Sequence, residues 1–171
     1  MSDRIKSATA SPSKPKVVIE RTYRAEVEEL WELWTTKDGF ESWWGPEGFR
    51  VEVRTLDARP GGALHYEMIA DTPEMIQVMK QMGRPNSHAA HGTFSEYKPR
   101  ERLTITSVID FLPGVQPYES TTTAEFFPSG ESVRMVITLS PMHDEEFTKM
   151  STMGFTSQLG KLDKRFGVGN R

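Results

Sequence analysis

Apolar residues recur along this chain in two rhythms. From Lys16 to Arg24, Val17, Ile19 and Tyr23 alternate with polar neighbours and β-branched residues are frequent, which predicts a strand. The rhythm then lengthens. Between Glu26 and Thr36, Val27, Leu30, Trp31 and Trp34 fall at i, i+3, i+4 and i+7, one face of a helix rich in tryptophan. Lys37 to Trp44 reads as a second short helix or turn, stopped by Gly45-Pro46. Alternation returns in Phe49 to Leu56, Ala63 to Ala70, Ala89 to Tyr97, Arg102 to Asp110, Tyr118 to Phe127 and Glu131 to Leu139. It sets Leu64, Tyr66 and Met68 against His65 and Glu67, and Leu103, Ile105 and Ile109 against Thr104, Thr106 and Val108. Arg59-Pro60-Gly61-Gly62 is a strong turn signal, and Pro128-Ser129-Gly130 is read as the turn of a hairpin.

Two more stretches have the helical period. Thr72-Pro73 is a good helix start, because proline at the first helical position gives up no needed hydrogen bond. Met75, Met79 and Met82 follow at i, i+4 and i+7, until Gly83 and Pro85 end the helix. The longest helix is predicted over Asp144 to Phe166, roughly 35 Å at 1.5 Å per residue. Its acidic first turn suits the positive end of the helix dipole. Phe155, Leu159, Leu162 and Phe166 form one face, which reads as core. Phe147, Met150 and Gly154 form another, turned from the first by roughly 90–110°. With Ser151 and Ser157 at its edge, this half is adaptable, and it covers a sheet or faces a cavity. Strands in mostly hairpin order with segregated helices predict an α+β fold on an antiparallel sheet.

Composition narrows the picture. The length of 171 residues suits a single domain over residues 16–171, with an inserted helical segment at about 71–88. Residues 1–15 are rich in Ser, Lys and Pro without periodicity and are expected to be a disordered tail. Apolar residues at 36% and aromatics at 10% suffice for a core. With 21 basic and 24 acidic residues the net charge is -3, and the basic residues are scattered, which argues against nucleic acid and against an anionic membrane surface. No run approaches the roughly 18 apolar residues that span a bilayer, and the first 15 residues lack the apolar segment of a secretory signal. The absence of cysteine excludes disulfides and thiolate-held zinc and fits a cytoplasmic protein.

Several motifs occur together at a recognisable spacing: Arg21-Thr22-Tyr23-Arg24-Ala25, Leu30-Trp31, Trp43-Trp44-Gly45-Pro46, Gly48-Phe49 and Arg59-Pro60-Gly61-Gly62. Thr35, Asp57, Tyr66, Met68, His91-Gly92 and Pro99-x-Glu101-Arg102-Leu103 complete the pattern. From about Val17 to Phe166 the chain resembles the homologues of the activator of the heat-shock protein 90 ATPase, within the START-like, polyketide-cyclase-related superfamily. The resemblance implies the helix-grip fold, a curved antiparallel sheet wrapped around the C-terminal helix, in many members with a cavity between them. Members bind or process varied apolar and aromatic small molecules. Two departures stand out: Phe155 lies near a position where the family usually has Trp, and the segment Asp71 to His88 exceeds the usual short hairpin.

The chemistry on offer is sparse. His88 and His91 are three apart at the start of a strand, so alternation sends them to opposite faces, and with no third ligand evident no metal is expected. No cofactor motif appears: Gly61-Gly62 lacks phosphate-loop spacing, and no nucleophile elbow is present. The leading expectation is a cavity for an apolar or aromatic ligand. Phe147 and Met150 lie on its helix side, Tyr66, Met68 and Val108 on its sheet side, and Trp44 at its mouth. Met75 and Met79 would cover its entrance or a second copy of the chain, since left in water they form an exposed apolar patch. An alternative is a cyclase, dehydratase or hydrolase with His91, Tyr66 and Tyr118 as proton donors. By family analogy alone, a regulator of a chaperone ATPase is a further alternative.

Overall fold

A computed structural model of the chain describes residues 16–110, 112 and 114–167; the expected tail over residues 1–15 lies outside the described residues. The order is β1 (Val17–Tyr23), α1 (Val27–Thr35), α2 (Lys37–Glu41), β2 (Phe49–Leu56), β3 (Ala63–Ala70), α3 (Pro73–Gln81), β4 (Ser87–Lys98), β5 (Arg102–Ile109), β6 (Tyr118–Ser129), β7 (Ser132–Leu139) and α4 (Glu145–Phe166). The seven strands form one antiparallel sheet in the order β1-β7-β6-β5-β4-β3-β2. From β1 the chain crosses through α1 and α2 to the far edge. It then returns strand by strand until β7 lies beside β1. This is the curved sheet and C-terminal helix of a helix-grip α+β fold.

The register decides which residues meet. Val53 is opposite Tyr66, Leu103 opposite Ala124, Ala124 opposite Ile137, and Ile137 opposite Ile19, so one apolar face is continuous across the sheet. The helices pack on this inner face. Trp31 of α1 sets its ring edge-on against Tyr97 and Phe126 of the sheet, at 5.3 and 5.6 Å between centroids. Trp34, one turn on, meets Trp43, Trp44 and Phe155 instead. The C-terminal half of α4 buries Phe155, Leu159 and Leu162, while Phe166 packs on Tyr23. Each such side chain removed from water contributes about 1.5–3 kcal/mol.

Local chemistry sets the ends. Asp144 caps α4 by accepting from the Phe147 amide at 2.7 Å, and Thr72 caps α3 by accepting from Met75 at 3.2 Å. Gly62 has no room for a side chain, since a Cβ there would lie 1.8 Å from the Asp57 carbonyl oxygen. Two boundaries differ from the alternation pattern. β4 begins at Ser87, so the inserted helical segment is shorter than 71–88. The β6–β7 hairpin closes on Gly130-Glu131, with Ser129 opposite Ser132 and Pro128 inside the strand. A two-residue loop with Gly130 at φ 60° matches the twist of the strands, and this outweighs the usual reading of proline as a strand end.

Candidate functional site

The site begins at the loop between α2 and β2, Trp43 to Phe49. Gly45 and Gly48 have φ values of 97° and 93°, a conformation that side-chain-bearing residues rarely adopt. Three side chains of α4 hold this loop. The Gly45 amide donates to Gln158 Oε1 at 2.8 Å, the Glu47 amide donates to Ser157 Oγ at 2.9 Å, and Lys161 Nζ donates to the Gly45 carbonyl at 2.8 Å. Burial pulls the Lys161 pKa down, with Glu47 and Asp71 opposing. The Gly48 carbonyl accepts from Asp71, which ties the same loop to the start of the inserted helix.

Between these elements lies a groove of about 370 Å³. Its sheet side carries Phe49, Met68 and His88, the last two opposite each other in the β3–β4 register. Its helix side carries Phe147, Met150 and Ser151, with Met142 from the preceding loop. The inserted segment contributes Met75, Val78, Met79, Met82 and Arg84, and Pro46 adds the edge of the glycine loop. Met79 is buried, whereas Met82 and Met150 remain 52% and 48% exposed, so the groove is open on that side. Six of the nine methionines in the sequence line it, giving a wall of flexible, polarisable side chains. Burial lowers the His88 pKa, the nearby charge of Arg84 adds to that, and Glu67 acts in the opposite direction. A second depression beside Val17 and the start of α4 is lined by Glu145, Glu146 and Lys149 together with Thr148, Thr152 and Met153, three charged side chains where the methionine groove has one.

The expected ligand residues separate into three groups. Met68, Met75, Met79, Phe147 and Met150 come together in the groove. Trp44 and Tyr66 lie outside it, in the aromatic core: Trp44 Nε1 donates to the Tyr66 hydroxyl at 3.0 Å, and Phe40 stacks on Trp44. Burial pushes the Tyr66 pKa up. Val108 is a correction. It sits opposite His91 in the β4–β5 register, on the outer face of the sheet, because strand parity sends Leu103, Ile105 and Ile109 inward. The first departure also resolves: Phe155 is packed by Trp34, Trp43 and Trp44 within the aromatic core.

The three expected proton donors do not converge. His91 is on the outer face with its Nε2 2.9 Å from Asp110. Tyr66 is committed to Trp44. Tyr118 faces inward near the start of α4, where its hydroxyl pairs with His143 Nδ1 at 3.0 Å and accepts from the His143 amide at 3.2 Å. Among the described residues no group of three His, Cys, Asp or Glu side chains is placed to hold a metal ion. No helix among them is long and apolar enough to cross a membrane. Sequence reasoning missed His88, Arg84 and Met142 as groove residues. The inward parity of His88 could have been read once β4 was extended to Ser87, whereas Met142 stands in a loop without a periodic signal.

The architecture is that of the helix-grip, START-like class, a ligand-binding scaffold in general. The family pattern described as "Activator of Hsp90 ATPase homolog 1-like protein" matches residues 24–167, and the chain belongs to that family. No curated protein matches it. Among solved structures it is similar to the AHSA1 protein of Silicibacter pomeroyi, with 21% identity and a TM-score of 0.69 over 88% of this chain and 96% of that one. A protein of Chromobacterium violaceum has 20% identity and a TM-score of 0.68, over 90% and 98% of the two chains. A protein of Nitrosomonas europaea has 22% identity and a TM-score of 0.65, over 87% and 92%.

Proposed function

We propose that this protein binds an apolar or aromatic small molecule in the methionine-lined groove, with α3 as its cover. The observation that carries the reading is the gathering of six methionines from separate parts of the chain around one space of about 370 Å³. Such a volume lies in the range of small-molecule sites. Thioether side chains repack around guests of different shape at little cost. The tethers from Ser157, Gln158 and Lys161 give the groove one rigid wall, against which the methionines can adjust. The cysteine-free composition suits work in the cytoplasm.

The test is native mass spectrometry of the purified protein together with a thermal-shift screen of aromatic and acyl compounds. A retained or added apolar guest is the expected result. Met150→Trp should fill the groove and abolish uptake while the protein stays folded, with overpacking strain of at most about 1–3 kcal/mol. A broad panel without a hit, or uptake that Met150→Trp leaves unchanged, would refute the reading.

A further inference from the structure

Among the described residues that line the groove, Arg84 is the one Lys, Arg, Asp or Glu, and the apolar lining does not account for it. Arg84 follows Gly83, the left-handed residue that ends the α3 segment, and its own amide is held by the Met79 carbonyl at 2.8 Å. The base of its side chain is therefore fixed beside the groove that it lines. Seven other described arginines each face a carboxylate at ion-pair distance. Arg100 and Arg165 have no such partner but are exposed. Arg84 is half-buried, and among the described residues no carboxylate pairs with it. Its guanidinium therefore keeps its donors free beside the groove, and a ligand that brings an anion there supplies the missing counter-charge.

We propose that the ligand is a carboxylate with an apolar body, its carboxylate held by Arg84 and its chain or ring lodged among Met68, Met79 and Met150. This rests on the groove being the ligand site. The planar guanidinium presents paired donors that match the two oxygens of a carboxylate. His88 stands beside Arg84 and is held toward its neutral form by burial and by the Arg84 charge, so it adds no second cation to the resting site. At about 370 Å³ the groove lies within the size range of small-molecule sites and is adequate for a guest of modest size.

The experiment titrates the full chain by calorimetry with two matched pairs, decanoic acid against decanol and naphthoic acid against naphthalenemethanol, each below its aggregation limit. At least one acid should bind about 10-fold or more tighter than its alcohol, as charge-assisted hydrogen bonds imply. Arg84→Gln should reduce that acid's affinity by a similar ~10-fold and change the alcohol's by less than about 2-fold. Its melting temperature should stay near that of the native chain, because the lost group makes no ion pair. Alcohols that bind as well as the acids, or an acid preference that survives Arg84→Gln, would overturn the carboxylate while leaving the apolar groove standing. Failure of all four compounds, with Met150→Trp changing nothing in the wider screen, would remove the groove reading and this proposal with it.

Discussion

Lys161 places its ammonium 2.8 Å from the carbonyl oxygen of Gly45, so the last helix holds by a side chain the loop that edges the groove. The bond lies inside a partly buried site, and desolvation lowers the Lys161 pKa below the ordinary lysine value of about 10.4. Between the lowered and the ordinary value, the unfolded chain carries the proton more fully than the folded one. Stability therefore rises with pH across that window. Lys161→Met should lower stability at neutral pH by about 1 kcal/mol, weaken uptake of apolar guests, and abolish this alkaline rise. Urea denaturation at a series of pH values checks all three, and an unchanged pH profile would count against the buried tether.

Trp31 anchors α1 to the sheet through Tyr97 and Phe126 and is 7% exposed. Trp31→Ala should cost about 3–5 kcal/mol, read from chemical denaturation. A melting curve that does not move would mean that the helix is not held by this contact.

Tyr23 donates to Asp163 Oδ1 at 2.6 Å, joining β1 to the end of α4. Burial and then Asp163 push its pKa well above the ordinary tyrosine value, with Arg21 opposing. A raised pKa means that the contribution is fully present below about pH 10 and is lost as pH climbs beyond it. Tyr23→Phe should be less stable by roughly 1.5–3 kcal/mol at neutral pH, with a shallower decline in stability above about pH 10. Parallel declines for the two proteins would show that Tyr23 is not the group responsible.

Met75 and Met79 face the groove from α3. Met75→Glu with Met79→Glu should reduce ligand uptake if the helix is a cover, and should change the sedimentation coefficient if it is a contact between two copies. Sedimentation velocity and binding measured on the same preparation separate the two. If neither responds, the methionine stripe has neither role.

What could be read from the chain alone was whatever depends on neighbours in sequence. The spacing of Phe155, Leu159 and Leu162 marked the buried face of α4, and Met75, Met79 and Met82 marked an inserted amphipathic helix before any contact was known. Both follow from the 3.6-residue turn, which is a property of the local backbone. Strand alternation separated the two faces correctly, but it could not say which apolar side chains would share a cavity. Val108 was expected among the cavity residues although alternation had set it against Leu103, Ile105 and Ile109, and its pairing with His91 identifies that face as the outer one. Trp44 was expected at a mouth, yet the packing of Phe40, Trp34 and Phe155 around it closed the core there and moved the open space toward Met150. Arg84, His88 and Met142 are brought to one groove by a turn, a strand start and a loop, whose meeting is fixed by long-range sheet pairing rather than by any local repeat. Periodicity therefore named the faces of the elements, and the fold alone decided which of those faces enclose the groove.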